Sequence, residues 1–255
     1  MTTIATAPSR RAWVTGAGSG IGRALVQRLA ADGWQVAASA RTEEDLATLA
    51  AGVPGRIEAF PLDVTDKVAT MDAAAAIEAQ LGPLDLVVLN AGTYRPVTAT
   101  SFSIDAWREM VEVNLLGAVN CLAAIMPGMI ARRSGHIAVV SSLTGYVGLP
   151  SASAYGATKA ALINMCEALH PELEAEGVRL SLINPGFVDT PLTRRNDFPM
   201  PFLISSDEAV ERIMRGLKSG RFEIAFPTRM SLAIRLLALL PHRLRLAVTR
   251  SMVRR

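Results

Sequence analysis

Two side chains suited to proton transfer lie four positions apart in the sequence Tyr155-Gly-Ala-Thr-Lys159. On a helix, residues with this spacing share one face, so the Tyr155 phenol and the Lys159 ammonium would point the same way. A cation beside a phenol favours the phenolate, and we expect Lys159 to lower the pKa of Tyr155 toward the range that general acid–base catalysis uses. The alternative is a pair of surface residues on an amphipathic helix.

Ser142 adds a hydrogen-bond donor to this pair. It closely follows the apolar run at residues 137–140. A run of this kind predicts a buried strand, which would deliver the serine hydroxyl at its carboxyl end. A hydroxyl there can donate to a carbonyl or an alkoxide oxygen, so the three residues together indicate proton transfer at an oxygen bonded to carbon.

The elements that must position these residues form an alternating pattern of strands and helices. We predict about seven strands, at residues 12–14, 35–38, 56–62, 84–89, 137–140, 178–183 and 222–226. Short, apolar strands between helices predict a doubly wound parallel sheet of the Rossmann type, an α/β fold with helices on both faces. We find no repeat or linker, so residues 1–255 are expected to form a single domain.

Two helices carry the chemistry in this scheme, a long one at about 104–130 and a second that begins near Tyr155. Pro171 lies in the later turns of the second helix, where a proline is expected to break or kink it. The sequence Asn184-Pro185-Gly186 is expected to end the sixth strand. Ligands of such sheets bind beyond the carboxyl ends of the strands, where the polar and glycine residues of this chain converge.

A glycine-rich connection, Thr15-Gly-Ala-Gly-Ser-Gly-Ile-Gly22, joins the first strand to the first helix. Glycine lets the backbone turn tightly and approach a pyrophosphate, and the helix N-terminus offers free N–H groups and a positive dipole. Its position between a first strand and a first helix is typical of a dinucleotide site. We therefore assign cofactor binding to residues of this turn: Gly16, Ser19, Gly20, Ile21 and Gly22.

The end of the second strand bears on the choice of cofactor. Dinucleotide folds commonly place an acidic residue there for the adenosine ribose, whereas this chain has Ala40 and Arg41. Arg41 can pair with a 2′-phosphate, which favours NADP(H) and leaves NAD(H) as the second choice. The alternative is a solvated arginine at the start of a helix. Asp63, after the third strand, either accepts from the adenine amino group or caps the next helix.

The order and spacing of the motifs over about residues 10–190 resemble the short-chain dehydrogenase/reductase family. The matching residues are Thr15, Gly16, Gly20 and Gly22 of the glycine motif, Asn90-Ala91-Gly92, Asn114 in Val113-Asn-Leu-Leu-Gly117, Ser142, Tyr155, Lys159, Pro185-Gly186 and Thr190. The resemblance implies the same fold and dehydrogenase or reductase activity with a nicotinamide cofactor.

The resemblance also implies a role for each matched residue. Tyr155 would exchange a proton with the substrate oxygen, Lys159 would also hold the nicotinamide ribose, and Ser142 would polarise the substrate oxygen. Asn114 would anchor a water in a proton relay to Lys159; the alternative is a helix-kink residue that satisfies local backbone groups. Thr190 would orient the nicotinamide carboxamide, with a helix cap as its alternative. The other matched residues would line the cofactor: Asn90, Gly92, Pro185 and Gly186.

These roles describe an NADP(H)-dependent oxidoreductase that interconverts a ketone or aldehyde and an alcohol. The segments expected to contact substrate, at about 143–153 and 190–205, are mostly apolar and favour a largely apolar small molecule. The alternative is a catalytically silent dinucleotide-binding regulator, or a protein that docks on a membrane or partner with the same fold. A silent regulator has no need of a proton relay, yet all four relay residues are present.

Composition limits location and partners. Cys121 and Cys166 lie in apolar contexts and form no disulfide framework, which favours a reducing, cytoplasmic compartment. The three histidines are far apart, so we expect no metal site. The chain starts without a signal-peptide pattern, and no run approaches the ~18 consecutive apolar residues of a membrane span. The family resemblance implies a homodimer or homotetramer joined through the helices that bear Asn114 and Tyr155.

Basic charge is concentrated at the C-terminus. Residues 229–255 hold seven arginines and no acidic residue, whereas the other 228 residues hold 19 basic and 23 acidic side chains. The net charge of +3 is therefore no indication of nucleic-acid binding by the body of the protein. Two leucine- and arginine-rich stretches split by Pro241 predict a basic amphipathic segment at about 228–255.

Such a segment can bind an anionic membrane surface or a partner protein. It can equally pack its apolar face on the body, cross a subunit interface or cover the substrate pocket.

Overall fold

The computed structural model of this chain describes residues 10–195 and 198–253. The strands are β1 (Arg11–Thr15), β2 (Gln35–Ser39), β3 (Ile57–Ala59), β4 (Leu86–Leu89), β5 (His136–Val140), β6 (Arg179–Pro185) and β7 (Glu223–Phe226). They form one sheet in the order β3-β2-β1-β4-β5-β6-β7, in which every pair is parallel. The strand order reverses between β1 and β4, where open α/β sheets bind their ligands.

Helices connect the strands. They are α1 (Gly20–Ala31), α2 (Glu43–Ala51), α3 (Lys67–Leu81), α4 (Ile104–Val111), α5 (Gly117–Ala131), α6 (Ser153–Ala175), α7 (Ser206–Lys218), α8 (Thr228–Leu239) and α9 (His242–Ser251). A π-helical turn, Glu112–Leu116, joins α4 to α5, and short 3-10 turns cover Leu143–Gly145 and Thr193–Arg195.

Two apolar cores lie on opposite faces of the sheet because successive side chains of a strand point to opposite sides. On β1, Val14 belongs to the core under α1, α2 and α7, and Trp13 belongs to the core under α3, α5 and α6. Both side chains are fully buried. The doubly wound, single-sheet fold that the sequence predicts is therefore confirmed.

Two local predictions were wrong. The helix that carries Tyr155 runs through Pro171 to Ala175, since the proline lies near its end and removes few of its hydrogen bonds. The sixth strand continues to Pro185, which pairs with Phe226 of β7. The long helix predicted at 104–130 is present at Ile104–Ala131 and contains a π-helical turn around Asn114.

The combined helical stretch Ile104–Ala131 is, within the described part of the chain, long and apolar enough by length and composition to span a membrane. Side chains of α5, including Cys121, Leu122 and Ile125, are buried in the core beside α3 and α6. We therefore interpret the stretch as a core helix of the sheet's second face.

Candidate active site

A cleft of about 290 Å³ opens along the carboxyl ends of the central strands. Most of the residues that the sequence assigns to the site line it: Gly16, Ser19, Gly20, Ile21, Arg41, Asp63, Asn90, Gly92, Ser142, Tyr155, Lys159, Pro185, Gly186 and Thr190. Gly22 and Asn114 do not line the cleft, but Gly22 packs against Gly16 and Asn90, and Asn114 lies beside Gly92. The fold thus gathers residues from across the chain in one place.

The turn after β1 has the shape of a phosphate cradle. Gly16 has a φ of +65°, a conformation that glycine adopts without strain. A Cβ on Gly22 would lie 2.2 Å from the Gly16 carbonyl oxygen, so only glycine allows this close approach. Ser19 precedes α1, and its side chain forms no capping hydrogen bond. The first N–H groups of α1 are thereby left for an anion, which fits a dinucleotide pyrophosphate.

Asn90 fixes this turn to the neighbouring strand. Its side-chain amide donates to the carbonyl oxygens of Thr15 at 3.2 Å and Gly16 at 3.1 Å. The Thr15 hydroxyl accepts in return from the backbone N–H groups of Asn90 and Ala91, at 3.1 and 3.2 Å. Four hydrogen bonds therefore join the ends of β1 and β4, and Asn90 acts by holding the glycine turn in place.

The adenosine end of the cleft contains both basic and acidic side chains. Arg41 is exposed and lines the cleft, as does Asp45 in the first turn of α2. The sequence analysis did not identify Asp45 as a cleft residue, because acidic residues are common in the first turn of a helix. Asp63 accepts from the Thr65 N–H and hydroxyl through one oxygen. The cap of α3 is Asp66, so the capping alternative for Asp63 was wrong.

Ser142 lies two residues beyond β5 and is oriented by its neighbours. Its hydroxyl oxygen accepts from the Thr144 N–H at 3.2 Å and the Thr144 hydroxyl at 3.0 Å. It donates to the Pro185 carbonyl oxygen at 3.3 Å, a long hydrogen bond. Thr144 is a positioning residue that the sequence analysis missed, because a threonine in a short turn carries no distinguishing pattern.

Tyr155 lies in the first turn of α6 among aromatic and apolar side chains. The Tyr94 ring contacts it edge-on, with 5.2 Å between the ring centroids. Burial raises the pKa of Tyr155 to about 12, while a hydrogen bond with Ser142 acts in the opposite direction. In the protein alone, the phenol is therefore held in its protonated form, ready to donate.

Lys159 lies one turn further along α6. Its ammonium donates to the Val140 carbonyl oxygen at 2.9 Å and stands 5.6 Å from the centroid of the Tyr155 ring. Burial lowers the pKa of Lys159 to about 8. The sequence led us to expect a lowered pKa for Tyr155; in the protein alone the net shift is upward, because desolvation by burial is its largest cause.

Asn114 sits in the π-helical turn and contacts the segment after β4. Its side-chain oxygen accepts from the Thr93 N–H at 2.7 Å, and its amide donates to the Thr93 carbonyl at 3.0 Å and the Thr158 hydroxyl at 3.2 Å. A Cβ on Gly92 would lie 3.3 Å from the same oxygen. The backbone groups that Asn114 satisfies are distant in sequence, so the partners proposed in its alternative role, local backbone groups, were wrong.

Thr190 lies between the cleft and the turn at Thr193–Arg195. Its hydroxyl accepts from the Thr193 N–H at 3.3 Å, as a cap does, and its methyl group contacts Gly20. Residues 196 and 197, in the segment expected to contact substrate, lie outside the described part of the chain. Thr190 therefore combines the capping role with a place in the cleft wall.

Comparisons with known proteins agree with this geometry. The sequence pattern that defines the short chain dehydrogenase family matches residues 10–198. An uncharacterized oxidoreductase of Myxococcus xanthus is 41% identical over 238 residues, which cover 91% of this chain and 93% of that protein. The chain therefore belongs to the short chain dehydrogenase family, and it is a nicotinamide-dinucleotide-dependent oxidoreductase.

Solved structures share this fold. A short chain dehydrogenase from Burkholderia cenocepacia in complex with NADP superposes with a TM-score of 0.82 at 29% identity, covering 97% of this chain and 98% of that one. A short chain dehydrogenase/reductase from Burkholderia phymatum in complex with NAD gives a TM-score of 0.83 at 23% identity, covering 89% and 92%. The second likeness shows the shared fold.

Proposed function

We propose that this protein interconverts a ketone or aldehyde and the corresponding alcohol, with NADP(H) as its preferred cofactor. The observation that carries the proposal is that Ser142, Tyr155 and Lys159 line the same cleft as the glycine turn after β1. A proton donor, a hydrogen-bond donor and a phosphate cradle in one cleft suit hydride and proton transfer to a single carbonyl group. The complete set argues against a catalytically silent regulator.

Each residue has a defined task in the reducing direction. Ser142 gives a hydrogen bond to the substrate carbonyl oxygen, and the Tyr155 phenol gives its proton to that oxygen as negative charge develops. Lys159 stands close enough to favour the phenolate that remains, and it would hold the nicotinamide ribose. The cofactor, when bound, supplies the hydride. In the oxidising direction, Tyr155 takes the proton back.

The residues present fit a dinucleotide along the whole cleft. The N-terminus of α1 and the Gly16–Gly22 turn would hold the pyrophosphate, and Asn90 and Gly92 would border the central part. Arg41 supports a preference for NADP(H), since a guanidinium pairs well with a 2′-phosphate. Asp45 in the same region would oppose a phosphate placed close to it, so Arg41 must supply the larger effect.

The substrate is proposed to be small and largely apolar. Val188 and Leu192 line the cleft beside Thr190. Phe187 and Phe198 pack edge-on in the same segment, with 5.9 Å between their ring centroids. Apolar walls favour a substrate whose polar group is the reacting oxygen itself.

The assembly and location complete the proposal. We place the protein in the cytoplasm as a homodimer or homotetramer that associates through the helices bearing Asn114 and Tyr155. Leu116 and Val119 on this stretch are exposed apolar side chains that such an interface would cover. We assign the C-terminal segment a different task, contact with an anionic membrane surface.

The proposal is tested by titrating the purified protein with NADPH and NADH and following the fluorescence of the reduced nicotinamide. The preferred cofactor is then used with a panel of apolar ketones, aldehydes and alcohols. We expect tighter binding of NADPH and turnover of apolar members of the panel. Tight binding without turnover on a broad panel would support the regulator, and equal affinity for both cofactors would remove the NADP(H) preference.

A further inference from the structure

The two C-terminal helices expose apolar side chains in a regular pattern. On α8, Leu232, Leu236 and Leu239 are 58%, 55% and 80% exposed. Their spacing of four and three residues places them on one face of the helix. The opposite face of α8 is seated on the body, where Met230 and Leu237 are buried. Packing on the body therefore accounts for one face of α8 and leaves a row of leucines outside.

On α9 a polar side chain is buried and leucines are exposed, which is the opposite of an ordinary surface helix. The buried residue is the polar Thr249, and Arg245 is half-buried and donates to the Ala238 carbonyl oxygen at the end of α8. Leu244 and Leu246 are 56% and 47% exposed. A helix that packs only on its own protein would bury such leucines, because apolar surface left in water forfeits the stabilisation that burial gives.

Basic side chains accompany the exposed leucines of both helices. Arg229 lies one turn before Leu232 on α8, and Arg243 and Arg250 are exposed on α9. The segment 229–255 contains seven arginines and no acidic residue. Exposed leucines next to arginines are the features by which amphipathic helices lie in the headgroup region of an anionic bilayer.

The inner face of α8 packs on the body through specific contacts, which hold the exposed leucines in a fixed orientation. Arg235 forms an ion pair with Glu223 of β7 and lies over the Tyr146 ring, at 5.6 Å from its centroid. Met230 packs against Gly186, which lines the catalytic cleft. The inner face of α8 therefore adjoins the cleft wall while its outer face carries the leucines.

We propose that α8 and α9 form a docking surface for an anionic lipid membrane, with the Leu232, Leu236 and Leu239 row inserted between headgroups and Arg229, Arg243 and Arg250 paired with lipid phosphates. Charge complementarity favours lipid over a second copy of this chain. A two-fold contact between two such segments would bring like charges together, whereas an anionic bilayer attracts the exposed arginines. Lipid binding needs no turnover, so the proposal can fail while the proposed enzymatic function stands.

The test is co-sedimentation of the full-length protein with vesicles of phosphatidylcholine alone and of phosphatidylcholine mixed with phosphatidylglycerol. We expect binding to the anionic vesicles only, weakening as salt is added. The triple variant Leu232→Ser, Leu236→Ser, Leu239→Ser should lose at least about 100-fold in partition coefficient. The pair Arg243→Gln and Arg250→Gln should lose roughly 30-fold.

Matched controls use exposed residues away from the C-terminal helices. Val68→Ser with Met71→Ser on α3 replaces exposed apolar side chains, and Arg215→Gln with Lys218→Gln on α7 replaces exposed basic ones. Both controls should bind like the unmodified protein, and circular dichroism should show that every variant is folded. Equal binding of the triple variant, or equal binding to neutral vesicles, would overturn the proposal.

Sedimentation equilibrium in the absence of lipid tests the alternative occupant of this surface, a second copy of the chain. In that alternative, the triple leucine variant differs from the unmodified protein in oligomeric state, and the unmodified protein does not bind anionic vesicles. If both results are obtained, the outer face of α8 is a subunit interface and the membrane proposal is wrong.

Discussion

The Lys159 ammonium donates to the Val140 carbonyl oxygen at 2.9 Å, which ties α6 to the carboxyl end of β5. Ser142 lies two residues beyond that carbonyl, and Tyr155 lies one turn before the lysine. Together with the hydrogen bond that the Ser141 hydroxyl donates to the Lys159 carbonyl oxygen at 2.8 Å, this contact fixes the helix that carries the acid relative to the strand that carries its partner. The lysine thus has a positioning task in addition to its charge.

We expect Tyr155→Phe to reduce turnover at least about a thousandfold while leaving cofactor affinity nearly unchanged, since it removes the proton donor and little volume. Steady-state kinetics and an NADPH titration of the same preparation measure both effects. Tyr94→Phe is the matched control, because it keeps the ring that contacts Tyr155. Near-normal turnover in Tyr155→Phe would assign the proton to another group.

Arg41→Ala is expected to weaken NADPH binding by about 10- to 100-fold and NADH binding much less, because a charge-assisted pair with the 2′-phosphate is lost. Fluorescence titration with each cofactor gives the ratio. Arg23→Ala provides the comparison, since Arg23 donates to the Gly18 and Asp45 carbonyl oxygens and supports the turn for either cofactor. Equal weakening of both cofactors in Arg41→Ala would exclude the phosphate contact.

Lys159→Met is expected to abolish activity and to stabilise the protein at pH 7 by about 3 kcal/mol. Folding lowers the Lys159 pKa from 10.5 to about 8, so its burial cost is fully present below pH 8. Between these pH values the unfolded chain binds more protons, and the lysine's contribution to stability improves as pH rises. The variant should lose this part of the pH dependence.

Urea denaturation at a series of pH values between 7 and 10 measures this effect. Lys67→Met, at an exposed position at the start of α3, is the control and should change stability little. A variant that is less stable than the unmodified protein at pH 7 would show that the hydrogen bond to Val140 outweighs the desolvation of the lysine.

Asn114→Ala is expected to lower the free energy of unfolding by about 2–4 kcal/mol, because both backbone groups of Thr93 lose their partner. Asn120→Ala on α5 is the control. Asn120 is only part-buried and donates to the Val64 carbonyl oxygen at 2.9 Å, so its loss should cost about 1 kcal/mol. Equal losses of unfolding free energy in the two variants would mean that the Asn114 contacts stabilise the protein no more than the Asn120 contact does.

The sequence by itself determined the seven-stranded parallel sheet, the glycine turn and the group of residues at the strand ends. These features follow from local rules: apolar periodicity defines strands and helices, and parallel strands bring their carboxyl ends to one edge. The spacing of Tyr155 and Lys159 was enough to place both on one face of α6. Two C-terminal helices split by Pro241 were likewise predictable from their composition.

Tertiary structure alone decided the partner of each polar group. Asn114 contacts Thr93, and Lys159 contacts Val140, because packing brings distant backbone groups within reach of these side chains. The direction of the Tyr155 pKa shift depends on how deeply the phenol is buried, which helical spacing does not reveal. The exposed leucines of α8 are also a tertiary result, since the helix lies on the surface and packs only one of its faces on the body of the protein.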